Sequence, residues 1–283
     1  MDLIRKVSLA LAAVVFSFTL TSGELAIKSG EALAFLGDSI TQIGWHNAVG
    51  YPHLVVTAFA VNGVNITPIP AGISGHKSTN MNARMERDVV NKKPVWMTLS
   101  CGVNDVWHGK NGVPLEQYKT EITSICDKAD KAGIKVMILT ATMIREDQSN
   151  PLNQQLVAYN DFLRELAKQR NYLLADLNAD MQKLVDENKK NNPAFHGNLL
   201  TVDGVHMNDA GNEMMAIGIL RAFGMTDEMI AKAKTAWEDI PGACKMTTGF
   251  SRNEMKTLKA AADKAKMPVG DYIRKVILEA AAK

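Results

Sequence analysis

Five short apolar runs punctuate this chain: "ALAFL" (32–36), "VNITPI" (64–69), "VWMTLS" (95–100), "IKVMILTA" (134–141) and "YLLADL" (172–177). They are mostly uninterrupted in hydrophobicity and rich in Val, Ile and Leu, the pattern of strands buried on both faces of a parallel sheet. Between them apolar positions recur with helical period, near 50–62, 78–91, 116–132, 152–170 and 178–190, with further helices from Asn208 and near 226–237. The alternation predicts a layered α/β protein. Two polar stretches, 142–151 and 188–206, read as long loops. In this architecture, loops beyond the carboxyl edge of the sheet build binding sites.

Both ends depart from that rhythm. At the start, Arg5 and Lys6 precede an apolar run from Val7 to Leu20, followed by the small residues Thr21, Ser22 and Gly23. The run is short for a membrane span and has the order of a secretory signal over residues 1–23, which predicts a secreted or periplasmic protein without a membrane span once the signal is removed. The alternative is an uncleaved N-terminal anchor. No Cys follows the run, so a lipid anchor is not indicated. At the other end, "ACKMTTGFSRNE" reads as a boundary between a main domain, 24–240, and an extension, 241–283. Ser251 and Glu254 have the spacing of a capping box. Leu258, Ala261, Ala262 and Ala265 mark one helix, and Tyr272, Ile273, Val276, Ile277 and Ala280 a second. Such a pair is too small to bury both apolar stripes by itself, so it is expected to pack on the main domain or to join copies into a homo-oligomer.

Size and charge narrow the classes. The 283 residues, 46% hydrophobic, suffice for one large domain and a small appendage. The net charge of +2 is uneven, since from Lys245 onward nine basic residues face four acidic ones. A mildly acidic body with a basic tail is not the profile of a nucleic-acid-binding core. Cys101, Cys126 and Cys244 are too few for a disulfide framework, and no Cys/His grouping has zinc-site spacing.

The candidate chemistry gathers at strand ends. "AFLGDSITQIGW" runs from the first strand into Gly37-Asp38-Ser39. A serine there sits beside unpaired N–H groups and the positive end of a helix dipole, which can hold the charge of a tetrahedral intermediate. A plain Gly-Asp-Ser turn explains the same residues. A serine nucleophile needs a base. Among six histidines, His206 in "TVDGVHMNDAGN" has a carboxylate, Asp203, a single turn earlier. "LSCGVNDVWHG" brings Asn104 to the end of another strand, and "AGISGHKST" brings Gly75 to the end of the second. An amide and a backbone N–H at those points are candidate oxyanion donors.

Together these blocks resemble the SGNH hydrolases, also called GDSL-type esterases. "GDSIT" is similar to the family's first block and implies Ser39 as nucleophile, with its N–H in the oxyanion hole. "GISG" is similar to the second and implies Gly75 as a donor, although Pro70 stands where the family often has Asn. "GVND" implies Asn104 as the next donor, and "DGVH" implies Asp203 and His206 as the rest of a catalytic triad. The resemblance spans about residues 32 to 224 and implies a flavodoxin-like three-layer α/β/α sandwich, with ester hydrolysis through an acyl-enzyme and no metal or organic cofactor. Asp38, Trp107 and His108 are candidate substrate contacts.

The motifs specify acyl chemistry and leave the alcohol open. Polar loops without a long apolar lid favour a small or carbohydrate ester, an O-acetylated sugar above all. An acyltransferase would use the same acyl-enzyme. A metal-dependent phosphoesterase would draw on Asp38, Asn104, Asp105, His108 and His206 but leaves Ser39 idle. A binding module would stack sugars on Trp45, Trp107 or Phe195 but needs no triad. The tail resembles the helical pair of ribbon-helix-helix DNA-binding domains, yet "KMTTGFS" is a short preceding strand broken by Gly249, and nucleic acid is not an expected partner.

Overall fold

The apolar runs pair as parallel strands: β1 (Ala32–Gly37), β2 (Thr67–Gly72), β3 (Trp96–Ser100), β4 (Lys135–Leu139) and β5 (Leu173–Ala175). The computed structural model describes residues 24–241 and 250–281, so the signal-like segment and most of the boundary stretch lie outside the described residues. The sheet order is β2-β1-β3-β4-β5, every pair parallel. Its register sets Leu36 opposite Leu99, Leu99 opposite Ile138 and Ile138 opposite Leu174, an apolar row across four strands.

One strand differs from its expected position. The hydrophobic run at 64–69 predicts a strand three residues ahead of β2. Pro68 and Pro70 weaken the strand signal over 67–72, and the place of β2 in the sheet explains why they are tolerated there. β2 is an edge strand, and Thr67 N and Ile73 N donate to Glu31 O and Gly37 O. Alternation then turns the N–H side of residues 68 and 70 away from β1, where proline forfeits no ladder bond.

The helices are α1 (Ser39–His46), α2 (Tyr51–Val61), α3 (Ser78–Asp88), α4 (Val103–Trp107), α5 (Leu115–Lys131), α6 (Pro151–Arg170), α7 (Leu177–Asn191), α8 (Asp209–Ala222) and α9 (Asp227–Glu238). The one-turn α4 lies outside the expected helices. Its five residues are too few to show helical period. Right-handed crossovers put α2 on one face of the sheet and α3, α5 and α6 on the other. The packing of α8 and α9 on α2, and of α5 on α3 and α6, agrees with that division. The result is a three-layer α/β/α sandwich whose core includes the buried Phe35, Tyr51, Phe59, Tyr118 and Phe223. The order 2-1-3-4-5 reverses winding at β1/β3, so the loops leaving those strands diverge and open a crevice at the sheet's carboxyl edge.

The chain divides into two compact units, Met1–Ala243 and Cys244–Lys283. The second holds α10 (Arg252–Lys264) and α11 (Val269–Ala281). Ser251 Oγ accepts from Glu254 N while Glu254 Oε2 accepts from Ser251 N, the capping box read from the sequence. Ala262 is buried, whereas Val276, Ile277 and Leu278 of α11 are exposed. Among the described residues, no helix is long and apolar enough to cross a membrane.

Candidate active site

Ser39 is the first residue of α1, delivered to the crevice by β1. Asp38 is the N-cap: its Oδ1 accepts from Ile40 N at 2.9 Å. At 2% exposure the carboxylate is enclosed beneath the turn bearing Ser39 and spent on the helix end. Burial pushes its pKa up to about 6 against the pull of the Ile40 N–H, and the nearby Asp105 adds to the rise.

His206 and Asp203 meet Ser39 from the loop before α8. His206 Nε2 lies 2.9 Å from Ser39 Oγ, and His206 Nδ1 lies 2.6 Å from Asp203 Oδ2. The loop is shaped by Asp203 itself, whose Oδ1 also accepts from Val205 N and His206 N at 3.0 and 2.8 Å. Burial raises the Asp203 pKa, but the hydrogen bonds from the His206 ring and from the two backbone N–H groups outweigh it and hold the carboxyl below its usual range. A second carboxylate fastens the loop from behind. Buried Glu146 accepts from Leu199 N, Leu200 N and Thr201 Oγ1 at 2.7, 2.9 and 2.6 Å. Arg145 N donates to Gly204 O at 2.6 Å. Arg145 and Glu146 both have left-handed backbone, at φ 63° and 47°, a conformation that persists where surrounding contacts over-determine it.

The opposite wall is the Ile73–His76 turn after β2. Ile73 N donates to Gly37 O, Ser74 N to Gln42 Oε1 and His76 N to Ile73 O. Among the described residues, Gly75 N–H is left without a partner, as is Ser39 N–H. Gly75 sits at φ 75°, which a glycine adopts without strain. Asn104, in α4, is 3% exposed. Its Nδ2 donates to His76 O at 3.0 Å and makes only a long 3.5 Å contact with Asp38 Oδ2. Asp105 ties α4 to the start of α3 by accepting from Ser78 N and Ser78 Oγ, at 3.0 and 2.6 Å.

The structure thus brings Ser39, Asp203 and His206 into one chain of contacts, with the Gly75 turn and Asn104 joined through the His76 carbonyl. Trp107, 38% exposed, stands edge-on to the His206 ring at 6.4 Å between centroids. His108 follows it, its ring 6.2 Å from that of Trp107. Trp45 stacks on His53 at 4.8 Å, and Phe195 is exposed in the segment after α7. Among the described residues, no three His, Cys, Asp or Glu side chains are grouped to hold a metal ion. The residues that support this site, Arg84, His76, Gln42 and Glu146, were not singled out from the sequence. Arg84 lies on the buried stripe of α3 between Met81 and Met85. A hydroxyl against an imidazole whose far nitrogen is held by a carboxylate, with free N–H groups nearby, can perform acyl transfer to serine.

A doubly wound sheet with these blocks at its carboxyl edge defines a class, and the comparisons with known proteins agree. The GDSL-like lipase/acylhydrolase family matches residues 35–214, and the chain belongs to that family of carboxylic ester hydrolases. It is 27% identical over 219 residues to an acetylxylan esterase of Geobacillus stearothermophilus, covering 71% of this chain and 97% of that one. The crystal structure of that organism's acetylxylan esterase Axe2 superposes with a TM-score of 0.63 at 26% identity, again covering 71% and 97%. The acetyl xylan esterase AlAXEase gives a TM-score of 0.62 at 35% identity, covering 68% of this chain and 98% of its own. The esterase TesA of Pseudomonas aeruginosa is 29% identical over 127 residues, covering 42% of this chain and 62% of its own.

Proposed function

We propose that this protein is an exported serine esterase that removes acetyl groups from carbohydrate. The observation that carries the catalytic part is the relay Ser39 Oγ–His206 Nε2–Asp203, with separations of 2.9 and 2.6 Å. With its proton on Nδ1, His206 donates to Asp203 and accepts the Ser39 hydroxyl proton as Oγ attacks the ester carbonyl. The Ser39 and Gly75 N–H groups and the Asn104 amide take up the negative charge. His206 then returns the proton to the leaving alcohol, and a water activated by the same imidazole hydrolyses the acetyl-enzyme. The Asp203 carboxylate keeps the imidazole in the working tautomer and stabilises its charged form.

The substrate class rests on the acetylxylan esterases to which most of the 24–240 domain is similar. Export rests on the signal-like order of residues 1–23. The test is acetate release from O-acetylated xylo-oligosaccharides by wild type and Ser39→Ala. The proposal expects release by wild type and its loss in the variant. Equal release by both would remove Ser39 from the reaction, and hydrolysis of aryl acetates without any release from the sugar would overturn the substrate class.

A further inference from the structure

One buried arginine gathers the two walls of the site. Arg84 is 5% exposed, yet every part of its guanidinium is engaged. Its Nη2 donates to Gly37 O at 2.8 Å, the last carbonyl before the turn that carries Ser39. Nη1 donates to Ala71 O at 2.8 Å, near the end of the strand leading to Gly75, and to Asp88 at 3.0 Å. Nε donates to the ring of His76, at Nδ1, 3.1 Å away. His76 is therefore gripped twice, by Arg84 on its ring and by Asn104 on its carbonyl.

That geometry matters because of what surrounds Gly75. The neighbouring N–H groups of Ile73, Ser74 and His76 are all committed, and the Gly75 N–H alone is uncommitted among them. Its direction is set by the peptide units on either side. Gln42 fixes the one before, through Ser74, whose N and Oγ both donate to Gln42 Oε1. His76 fixes the one after. The His76 carbonyl also holds one Asn104 amide hydrogen, so it orients that amide as well.

We propose that His76, clamped by Arg84, is the positioning residue of the oxyanion donors. It sets the Gly75 N–H and the Asn104 amide at once and ties both to the turn bearing Ser39. The inference rests on the reading of Ser39 as nucleophile with those two groups as donors. It requires a neutral ring, because only an unprotonated Nδ1 can accept from Arg84. Burial and the adjacent Arg84 charge lower the His76 pKa, with Asp88 pulling the other way and Arg87 adding to the depression. His76 borders an open cleft of about 320 Å³ lined also by Asn80, Ala83 and Arg87. The same cleft gives room for substitutions at position 76.

The test compares wild type, His76→Phe, His76→Asn and Ser39→Ala on a short-chain aryl acetate, with rates expressed per serine labelled by a fluorophosphonate for the three proteins that keep Ser39 and per mole of protein for Ser39→Ala. It also measures inhibition by an alkylboronic acid, which forms a tetrahedral adduct on a serine. Removing an oxyanion donor outright lowers kcat by about 10²–10³-fold, so misplacing donors in His76→Phe is expected to lower it about 10- to 100-fold with KM nearly unchanged. Boronate affinity should weaken by the same factor. In His76→Asn, the amide oxygen can take the Arg84 Nε–H in place of Nδ1, and most of both losses should return. Wild-type kcat in His76→Phe overturns the inference, as does an Asn variant no better than Phe or a change confined to KM. Full activity in Ser39→Ala is a different failure, since it removes the site assignment on which the inference stands.

Discussion

At the scale of residues, the account makes separate demands on Asp203, Asn104 and Asp38. Asp203→Asn preserves shape but lets the imidazole take the wrong tautomer, so kcat for an aryl acetate should fall on the order of 10⁴-fold. Asn104→Ala removes one donor and should cost about 10²–10³-fold in kcat with little change in KM, read from steady-state kinetics. Asp38 predicts a pH signature of unusual sign. Its folded pKa, about 6, stands above the unfolded 3.8, so its contribution is most favourable below pH 3.8 and is lost as pH rises through 6. At about 1.4 kcal/mol per unit, the buried charge costs roughly 3 kcal/mol at neutral pH. An amide oxygen can keep the Ile40 cap, so Asp38→Asn should raise Tm at pH 8 and not at pH 4, by calorimetry across that range. An equal shift at both values would contradict the assignment. These roles were unequally legible. Ser39, Asp203 and His206 stand in short motifs whose spacing marks them as candidates, whereas the capping role of Asp38 depends on which way one carboxylate turns. Arg84 was hidden further, because a charge inside α3 reads as solvent-exposed until its stripe of Met81 and Met85 is seen to be buried.

At the scale of elements, the long apolar and periodic runs marked the central strands and the longer helices well, because burial on both faces leaves few polar positions to confuse the pattern. The edge strand was displaced because Pro68 and Pro70 break local strand propensity while the edge tolerates them. The single turn α4 was invisible, being shorter than two helical periods, yet it carries Asn104. A close crossing is equally hidden in sequence. Gly50, just before α2, abuts the backbone of Gly44 in α1, and a Cβ there would overlap the Gly44 carbonyl. Gly50→Ala should therefore destabilise the fold by about 1–3 kcal/mol or more, seen as a lower urea midpoint at unchanged m-value. An unchanged midpoint would show that the α1–α2 crossing yields freely.

At the scale of the whole molecule, every residue of the proposed site lies between Ser39 and His206, within the first of the two compact units. A chain ending at Ala243 should then keep wild-type kcat on an aryl acetate, and a large loss would assign the basic helical pair a part in the site. The proposed carbohydrate preference belongs to this scale too. Nothing in the short motifs specifies the alcohol, so the sugar was read from polar loops without an apolar lid, a reading that the acetylxylan esterase relatives support. The claim on which the rest depends is that Ser39 is a nucleophile activated by His206. Its most direct measurement is intact-mass and peptide analysis after treatment with a fluorophosphonate. The account predicts a single phosphonyl adduct on the peptide holding Ser39, formed by wild type and suppressed in His206→Ala. An adduct on another residue, or equal labelling of Ser39 without His206, would contradict it.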